Sequence, residues 1–242
     1  CLLSRGLGDV YKRQGVDCIL IGDSASNVMA GNATTLPITL DQMIYHASAV
    51  AKAVKRAFVV CDMPFGTYQV DAKEAVRNAI RIMKETGCDA VKLEGGVEII
   101  EAIKRILDAG IPVFGHLGLT PQSINKFGTY AVRAKEEAEA EKLLSDVKLL
   151  GDAGCCGIVL EKIPSALTQK AVELVDVPII GIGGGPADGQ VLVVDDMLGK
   201  NKDFSPKFLR RYADLYTVMT DAIGQYVSDV KSGDFPNESE RY

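Results

Sequence analysis

From Gly15 onward, the sequence alternates between short apolar runs and longer segments whose apolar residues recur with the helical period. Runs that are nearly continuous in apolar character are typical of strands buried on both faces of a parallel sheet. Repeated strand–helix units of this kind predict an α/β fold and favour a (β/α) barrel. The predicted strands are Cys18–Gly22, Phe58–Cys61, Ala90–Leu93, Pro112–Gly115, Gly157–Leu160, Pro178–Ile182 and Val191–Val194.

Helical segments separate these strands, and several carry end signals. The segment Asp71–Thr86, for example, stops at Gly87, a residue type that commonly ends a helix. A doubly wound open sheet stays an alternative, although the sequence has no G-x-G-x-x-G motif between a first strand and helix. The predicted helices are Leu40–Lys52, Asp71–Thr86, Glu98–Ala109, Lys135–Ala153 and Ser165–Val175, with one or two more within Lys207–Val230.

The first 14 residues do not share this pattern. They show neither a hydrophobic period nor a capping signal, and they run abruptly into Gly15-Val16-Asp17. We therefore predict that residues 1–14 are a non-native leader, which is set aside in reasoning about the fold. Residues 15–242 are predicted to form a single (β/α) barrel domain with C-terminal helices.

The composition excludes some classes of partner. A formal net charge of -5 disfavours nucleic acid, because an acidic protein repels phosphate backbones. No apolar stretch approaches the ~20 residues that span a bilayer, so no membrane association is expected. The six cysteines form no C-x-x-C pair, which favours reduced thiols in a cytoplasmic protein.

Titratable residues follow five consecutive predicted strands, and these residues are Asp23, Asp62, Glu94, His116 and Glu161. The carboxyl ends of the strands of a (β/α) barrel meet at one mouth, where catalytic groups lie. One acidic residue after a strand is more often a helix cap or a turn former. Five titratable residues in succession favour an active site instead.

The types of these residues indicate a chemistry. Asp23, Asp62 and Glu94 offer carboxylate oxygens, which suit Mg²⁺ better than structural zinc. Such an ion can be chelated by a 2-oxo acid and can stabilise its enolate. Lys92 and His116 would supply positive charge or donors to the same oxygens, and Glu161 is free to act as a general base. Lys92 also has an alternative role as a Schiff-base nucleophile in a metal-free aldolase.

Longer stretches around these positions resemble the ketopantoate hydroxymethyltransferase family along Gly15–Tyr242. Two departures stand in the C-terminal half: the turn GIGGGPADGQ, and Asp195 where the family usually has histidine. The matching stretches are GDSASNVMAG, TTLPITLDQMIYH, CDMPFGTY, AVKLEGG, GHLGLTPQS, VLEKIP and DGQVLVVDDMLG.

The resemblance implies a TIM (β/α)8 barrel of the phosphoenolpyruvate/pyruvate-like group, here expected to lack its native first strand and helix. It implies transfer of a hydroxymethyl group from 5,10-methylenetetrahydrofolate to 3-methyl-2-oxobutanoate (2-oxoisovalerate) through a Mg²⁺-stabilised enolate. The product is 2-dehydropantoate (ketopantoate), on the route to pantothenate and coenzyme A. Family members form large homo-oligomers, typically decamers.

The resemblance also implies roles for single residues. The metal-site carboxylates are Asp23, Asp62 and Glu94; the residues that bind the oxo acid are Asp23, Ser24, Asp62, Lys92 and His116; the catalytic base is Glu161. Two alternatives stay open: another metal-enolate C–C lyase of the same barrel group, and a truncated, inactive homologue.

Overall fold

A computed structural model describes residues 15–242. Contacts divide the chain into two compact units, with the boundary between Val191 and Leu192, and each unit is described by itself. The predicted leader at residues 1–14, and with it the question of a missing first strand, lies outside the described residues. The single domain at 15–242 stays a prediction.

The first unit contains one sheet of seven parallel strands, hydrogen-bonded in the order in which they occur in the sequence. Each helix-containing connection therefore returns the chain to the next position in the sheet, as in a (β/α) barrel. This confirms the predicted α/β fold class. Within residues 15–242, the first and last strands each pair on one side only. The strands are β1 Cys18–Ile21, β2 Phe58–Asp62, β3 Ala90–Glu94, β4 Val113–Gly118, β5 Gly157–Glu161, β6 Ile179–Ile182 and β7 Gly189–Gln190.

Two of the strand predictions need correction. The seventh strand is Gly189–Gln190, and the prediction of a strand at Val191–Val194 is wrong because Val194 already begins a helical turn. A short apolar run does not by itself distinguish a strand from a helix, which explains the error. Strand β4 continues to Gly118, so that His116 lies within the strand and not after it.

The helices of this unit begin and end where local chemistry satisfies their free backbone groups. Thr39 and Gln42 form a reciprocal capping box at the start of the second helix. The side chain of Asp71 accepts hydrogen bonds from two backbone N–H groups of the third helix, which ends at Gly87 in the left-handed conformation. The helices are α1 Ala25–Val28, α2 Leu40–Ala53, α3 Ala72–Thr86, α4 Ile100–Asp108, α5 Ile124–Phe127, α6 Glu137–Ala153 and α7 Ser165–Leu174, and 3-10 turns occur at Val97–Ile99 and Pro121–Ser123.

Successive side chains of each strand point to opposite faces of the sheet. On the face that is covered by the helices, residues such as Val91 and Leu93 of β3 join the main hydrophobic core. On the other face, Val60, Ala90, Phe114 and Val159 form a second, smaller apolar cluster. The polar residues discussed below project from this second face.

The second unit contains the helices α8 Val194–Met197 and α9 Leu215–Ser232 and a 3-10 turn at Glu238–Glu240. The helix predicted within Lys207–Val230 begins only at Leu215, where the side chain of Asp214 accepts a hydrogen bond from Thr217 N at 3.2 Å. In the part of the chain that is described, no helix combines the length and the apolar content that a membrane crossing requires.

Candidate active site

A layer of charged side chains lies directly beyond the small apolar cluster, toward the carboxyl ends of the strands. Each member of that cluster is followed two residues later by a charged or ionisable residue on the same face: Asp62 after Val60, Lys92 after Ala90, His116 after Phe114 and Glu161 after Val159. Strand register places Asp62 beside Lys92 and Glu94 beside His116. The sheet itself therefore brings the predicted site residues together.

Two carboxylates meet at the ends of β1 and β2. The backbone N–H of Asp23 donates to Asp62 Oδ2 at 3.0 Å, and both residues are buried. Burial, followed by the negative charges of Asp62 and Glu94, raises the pKa of Asp23 to about 8. Burial also raises the pKa of Asp62, although Lys92 and the Asp23 N–H act in the opposite direction. Two carboxylates, Asp23 and Asp62, therefore lie near a single lysine, Lys92, in this part of the site.

Lys92 occupies the centre of the cluster. Its Nζ lies 3.0 Å from Asp62 Oδ1, 3.8 Å from Glu94 Oε1 and 3.0 Å from His116 Nδ1, and the side chain is buried. Burial opposes its positive charge, but the charges of Asp62 and Glu94 outweigh burial and raise the pKa of Lys92 above its usual value. Lys92 is therefore a charged donor held among carboxylates. A Schiff-base nucleophile needs a depressed pKa instead.

His116 bridges two carboxylates. Nδ1 lies 3.4 Å from Glu94 Oε1, and Nε2 lies 3.3 Å from Glu161 Oε2. Burial and the charge of Lys92 oppose protonation of the ring, but Glu161 and Glu94 outweigh them and raise the pKa of His116 to about 9. Burial likewise opposes ionisation of Glu94, yet His116 and Lys92 lower the pKa of Glu94. Glu161 is the more open member of the group, since 15% of its side chain is exposed.

Two uncharged residues, which the pattern of charged strand ends does not include, connect the carboxylates to one another. Gln122, in the turn after β4, donates through Nε2 to Asp23 Oδ2 at 2.8 Å and through its backbone N–H to Glu94 Oε2 at 2.9 Å. Tyr68 donates its hydroxyl to Gln122 Oε1 at 2.6 Å and accepts a hydrogen bond from Glu94 N at 3.0 Å. Both residues lie in stretches that resemble the family, namely CDMPFGTY and GHLGLTPQS. The family resemblance is therefore the sequence signal that could have indicated them.

The backbone around Glu161 is held by close contacts. Its carbonyl accepts a hydrogen bond from Leu119 N at 2.8 Å, which fixes the end of β5 against the end of β4. Lys162, the next residue, has a φ of 48°, which is rare for a residue with a side chain. Its backbone N–H donates to Ile182 O at 2.9 Å, and its carbonyl accepts from Arg133 N at 2.8 Å. These bonds stabilise the strained turn that orients Glu161.

The remaining predicted residues lie at the edge of this cluster or outside it. Ser24 follows Asp23 at the start of α1, is half-buried and makes no capping hydrogen bond with its side chain. Asp195 is in the second unit, where it forms an ion pair with Lys200 at 2.8 Å. In the glycine-rich turn, the N–H of Gly185 donates to Thr168 Oγ1 at 3.3 Å.

The donor set fits a hard divalent cation by charge and by atom type. The buried oxygens Asp62 Oδ1 and Glu94 Oε1 receive no well-directed hydrogen bond, even though Lys92 lies near both of them. Carboxylate oxygens are preferred ligands of Mg²⁺. Burial, followed by the negative charges of Asp62 and Glu94, raises the pKa of Asp23. Within residues 15–242, however, no three His, Cys, Asp or Glu side chains converge closely enough to form a ready-made metal site.

Comparisons with known proteins decide the family. The sequence model described as "Ketopantoate hydroxymethyltransferase" matches residues 5–238. The chain belongs to this family. The match starts inside the segment 1–14 that is predicted to be a leader.

Among curated relatives, the 3-methyl-2-oxobutanoate hydroxymethyltransferases of Flavobacterium johnsoniae and Bacteroides fragilis are each 69% identical over 237 residues. In each case the alignment covers 98% of this chain and 87% of the relative.

Among solved structures, the phosphoenolpyruvate phosphomutase of Streptomyces platensis subsp. rosaceus superposes with a TM-score of 0.57 at 14% identity. The superposition covers 93% of this chain and 79% of the other. At this identity the likeness concerns the fold alone, and it agrees with the predicted α/β fold class.

Proposed function

We propose that this protein transfers a hydroxymethyl group from 5,10-methylenetetrahydrofolate to 3-methyl-2-oxobutanoate, giving 2-dehydropantoate. The observation that carries the proposal is the buried cluster of Asp62, Lys92, Glu94 and His116, with Glu161 at its more open side. Removal of a proton beside a keto group requires a base and positive charge near the developing oxygen charge, and this cluster offers both. Membership of the family and the relatives' names support the oxo acid and the hydroxymethyl transfer. The folate donor rests on the family resemblance.

The positions of the charges support the following roles. Lys92 and His116 bind the carboxylate and keto oxygens of the oxo acid, and Ser24 adds a hydroxyl at the start of α1. The carboxylate of Glu161 takes the proton from C3, and the electron pair of that C–H bond moves toward the keto group. C3 then forms a bond to the methylene carbon of the folate as one of the two C–N bonds of that carbon breaks. Water supplies the hydroxyl oxygen as the second C–N bond breaks. The two nitrogens take up the proton that Glu161 removed and one proton from the water, which leaves tetrahydrofolate.

Asp23, Asp62 and Glu94 are the residues that would hold Mg²⁺. When bound, the ion supplies Lewis-acid chemistry, which makes the C3 proton more acidic. Support for this assignment comes from three buried carboxylates around the single lysine Lys92, and from the two carboxylate oxygens without a well-directed hydrogen bond.

The decisive experiment is a product assay with purified protein, 2-oxoisovalerate, Mg²⁺ and 5,10-methylenetetrahydrofolate. Formation of 2-dehydropantoate that requires the folate is expected. Consumption of the oxo acid without folate would instead support another C–C bond chemistry at the same site. No consumption under any of these conditions would support the inactive homologue.

The metal assignment has a separate test. We expect Asp62→Ala to abolish Mg²⁺-dependent binding of 2-oxoisovalerate in calorimetry. The matched control is Asp89→Ala, because the Asp89 carboxylate accepts a hydrogen bond from Val59 N at 2.8 Å at the opposite end of the same sheet. Binding by Asp62→Ala at the affinity of the unaltered protein would refute its role as a ligand.

Two broader proposals rest on the family resemblance and the composition. We propose that the chain assembles into a homo-oligomer, by resemblance a decamer, and analytical ultracentrifugation tests this. A monomer at micromolar concentration would contradict it. A cytoplasmic location stays a prediction.

A further inference from the structure

We infer that Gln122 is a positioning residue for the reaction, because it fixes the orientation of two carboxylates at the carboxyl ends of different strands, Asp23 just after β1 and Glu94 as the last residue of β3. This inference rests on the proposed function. Gln122 is buried, and its side-chain Nε2 holds Asp23 Oδ2 at 2.8 Å while its backbone N–H holds Glu94 Oε2 at 2.9 Å. The same Nε2 donates to Met63 O at 2.9 Å, so that one residue connects the ends of β1, β2 and β3.

The orientation of the Gln122 amide follows from its neighbours. Nε2 faces the carbonyl oxygen of Met63, which can only accept, and an oxygen of Asp23, which accepts in the ionised carboxylate. Oε1 accepts from the Tyr68 hydroxyl at 2.6 Å and from the amide of Gln69 at 3.1 Å. A reversed amide would place its oxygen against both acceptors, so only one orientation is stable. The side-chain amide of glutamine thus supplies both the donor that Asp23 and Met63 need and the acceptor that Tyr68 and Gln69 need.

This network decides which carboxylate oxygens are available to a ligand. Gln122 engages Asp23 Oδ2 and Glu94 Oε2, and the Asp23 N–H engages Asp62 Oδ2. Two other carboxylate oxygens of this cluster, Glu94 Oε1 and Asp62 Oδ1, are buried without a well-directed hydrogen bond. Their nearest charged neighbours are His116 Nδ1, 3.4 Å from Glu94 Oε1, and Lys92 Nζ, 3.0 Å from Asp62 Oδ1. Hydrogen bonds to the outer oxygens of ligating carboxylates commonly control metal affinity, because they hold the inner oxygens in place. Gln122 acts through Asp23 and Glu94 and need not touch the oxo acid.

The test compares Gln122→Met with a control in the same sheet. Methionine keeps the length of the side chain and removes its donors, while the backbone bond to Glu94 remains. Thr86→Val is the matched control, since the buried Thr86 hydroxyl donates to Ile82 O and accepts from Cys88 N before β3, at the other end of the strands. We expect Gln122→Met to weaken Mg²⁺-dependent binding of 2-oxoisovalerate by about 10–100-fold. Thr86→Val should change it by less than about threefold, whatever its effect on thermal stability.

A kinetic measurement separates positioning from general damage. Positioning predicts that Gln122→Met raises the Mg²⁺ concentration for half-maximal rate, and that saturating Mg²⁺ restores much of the rate. A merely structural role predicts a lower kcat at unchanged Mg²⁺ dependence, and that result, or unaltered ligand affinity, would overturn the inference. If Gln122→Met does not fold, Tyr68→Phe replaces it. Loss of the hydroxyl that holds Gln122 Oε1 should weaken binding several-fold, and unchanged binding would overturn the inference equally.

The outcomes also separate this inference from the proposed function. Mg²⁺ alone should raise the midpoint of thermal unfolding of the unaltered protein, and this rise should be smaller in Gln122→Met. If the unaltered protein binds Mg²⁺ but neither binds nor converts 2-oxoisovalerate, the proposed function fails. A smaller Mg²⁺-induced rise in Gln122→Met would then still support positioning of the two carboxylates, and an equal rise would overturn it. If the unaltered protein binds no Mg²⁺, both are overturned.

Discussion

Replacing Gly118 by alanine should damage both stability and catalysis, because this glycine lies against the backbone of Glu161. Gly118 has a φ of 87°, a conformation that costs a residue with a side chain about 1–2 kcal/mol. An added Cβ would also lie 2.4 Å from Glu161 O and 2.7 Å from Ile163 Cγ2. Since a carbonyl oxygen of a central strand cannot rotate away, the end of β5 must move.

The control is Gly110→Ala, which has the same backbone cost without the collision. Gly110 has a φ of 80°, and an added Cβ would meet nothing within 4 Å. We therefore expect a loss of about 1–2 kcal/mol in the free energy of unfolding for Gly110→Ala. For Gly118→Ala, disruption of the buried Leu119 N to Glu161 O bond adds about 1–3 kcal/mol, for a total of roughly 2–5 kcal/mol.

Urea unfolding measures these losses, and exchange of the C3 proton of 2-oxoisovalerate for deuterium measures the effect on Glu161. Gly118→Ala should slow the exchange, whereas Gly110→Ala should leave its rate unchanged in folded protein. Equal destabilisation of the two variants together with equal exchange rates would refute the reasoning, since the contact with Glu161 would then have no consequence.

Three other changes test further parts of the structure. Glu161→Gln should leave binding of the oxo acid intact and slow exchange of its C3 proton in an NMR assay; exchange at the normal rate would place the base elsewhere. Lys92→Met should lower the free energy of unfolding by about 3–5 kcal/mol, because it leaves Asp62 as a buried carboxylate without its cation; an unchanged urea midpoint would contradict this. Gly115→Ala should destabilise the fold, since its Cβ would lie 2.6 Å from Leu150 Cδ1, and it should cost less in a Leu150→Ala background. Additive losses in calorimetry would argue against that contact.

The sequence predicted the sheet well because the strands of a parallel sheet are buried on both faces and leave nearly continuous apolar runs. It also predicted the charged cluster, because Asp62, Glu94 and Glu161 are the last residues of their strands. The strand at Val191–Val194 was wrong since an apolar run of that length is compatible with either kind of element. The real seventh strand, Gly189–Gln190, contains no apolar residue and gave no such signal.

Gln122 and Tyr68 were missed for a different reason. Neither is charged near neutral pH, and neither directly follows a strand, so a pattern of charged residues at strand ends does not include them. Gln122 reaches the site through the 3-10 turn at Pro121–Ser123, and no periodicity in the sequence indicates where the side chains of such a turn point. Their roles depend on pairing between residues that are far apart in the chain, such as Gln122 with Asp23. That information exists only in the folded structure.

The charged side chains that lie two residues beyond the small apolar cluster also help to determine the pairing register of the strands. Lys92 and Glu94 share one face of β3, while Val91 and Leu93 pack into the core under the helices. A slip of β3 by one residue would exchange the two faces and bury an ammonium group and a carboxylate in hydrocarbon. Desolvation of unpaired charges makes such an arrangement strongly unfavourable. The residues proposed for the active site therefore also disfavour any pairing of β3 that is shifted by an odd number of residues.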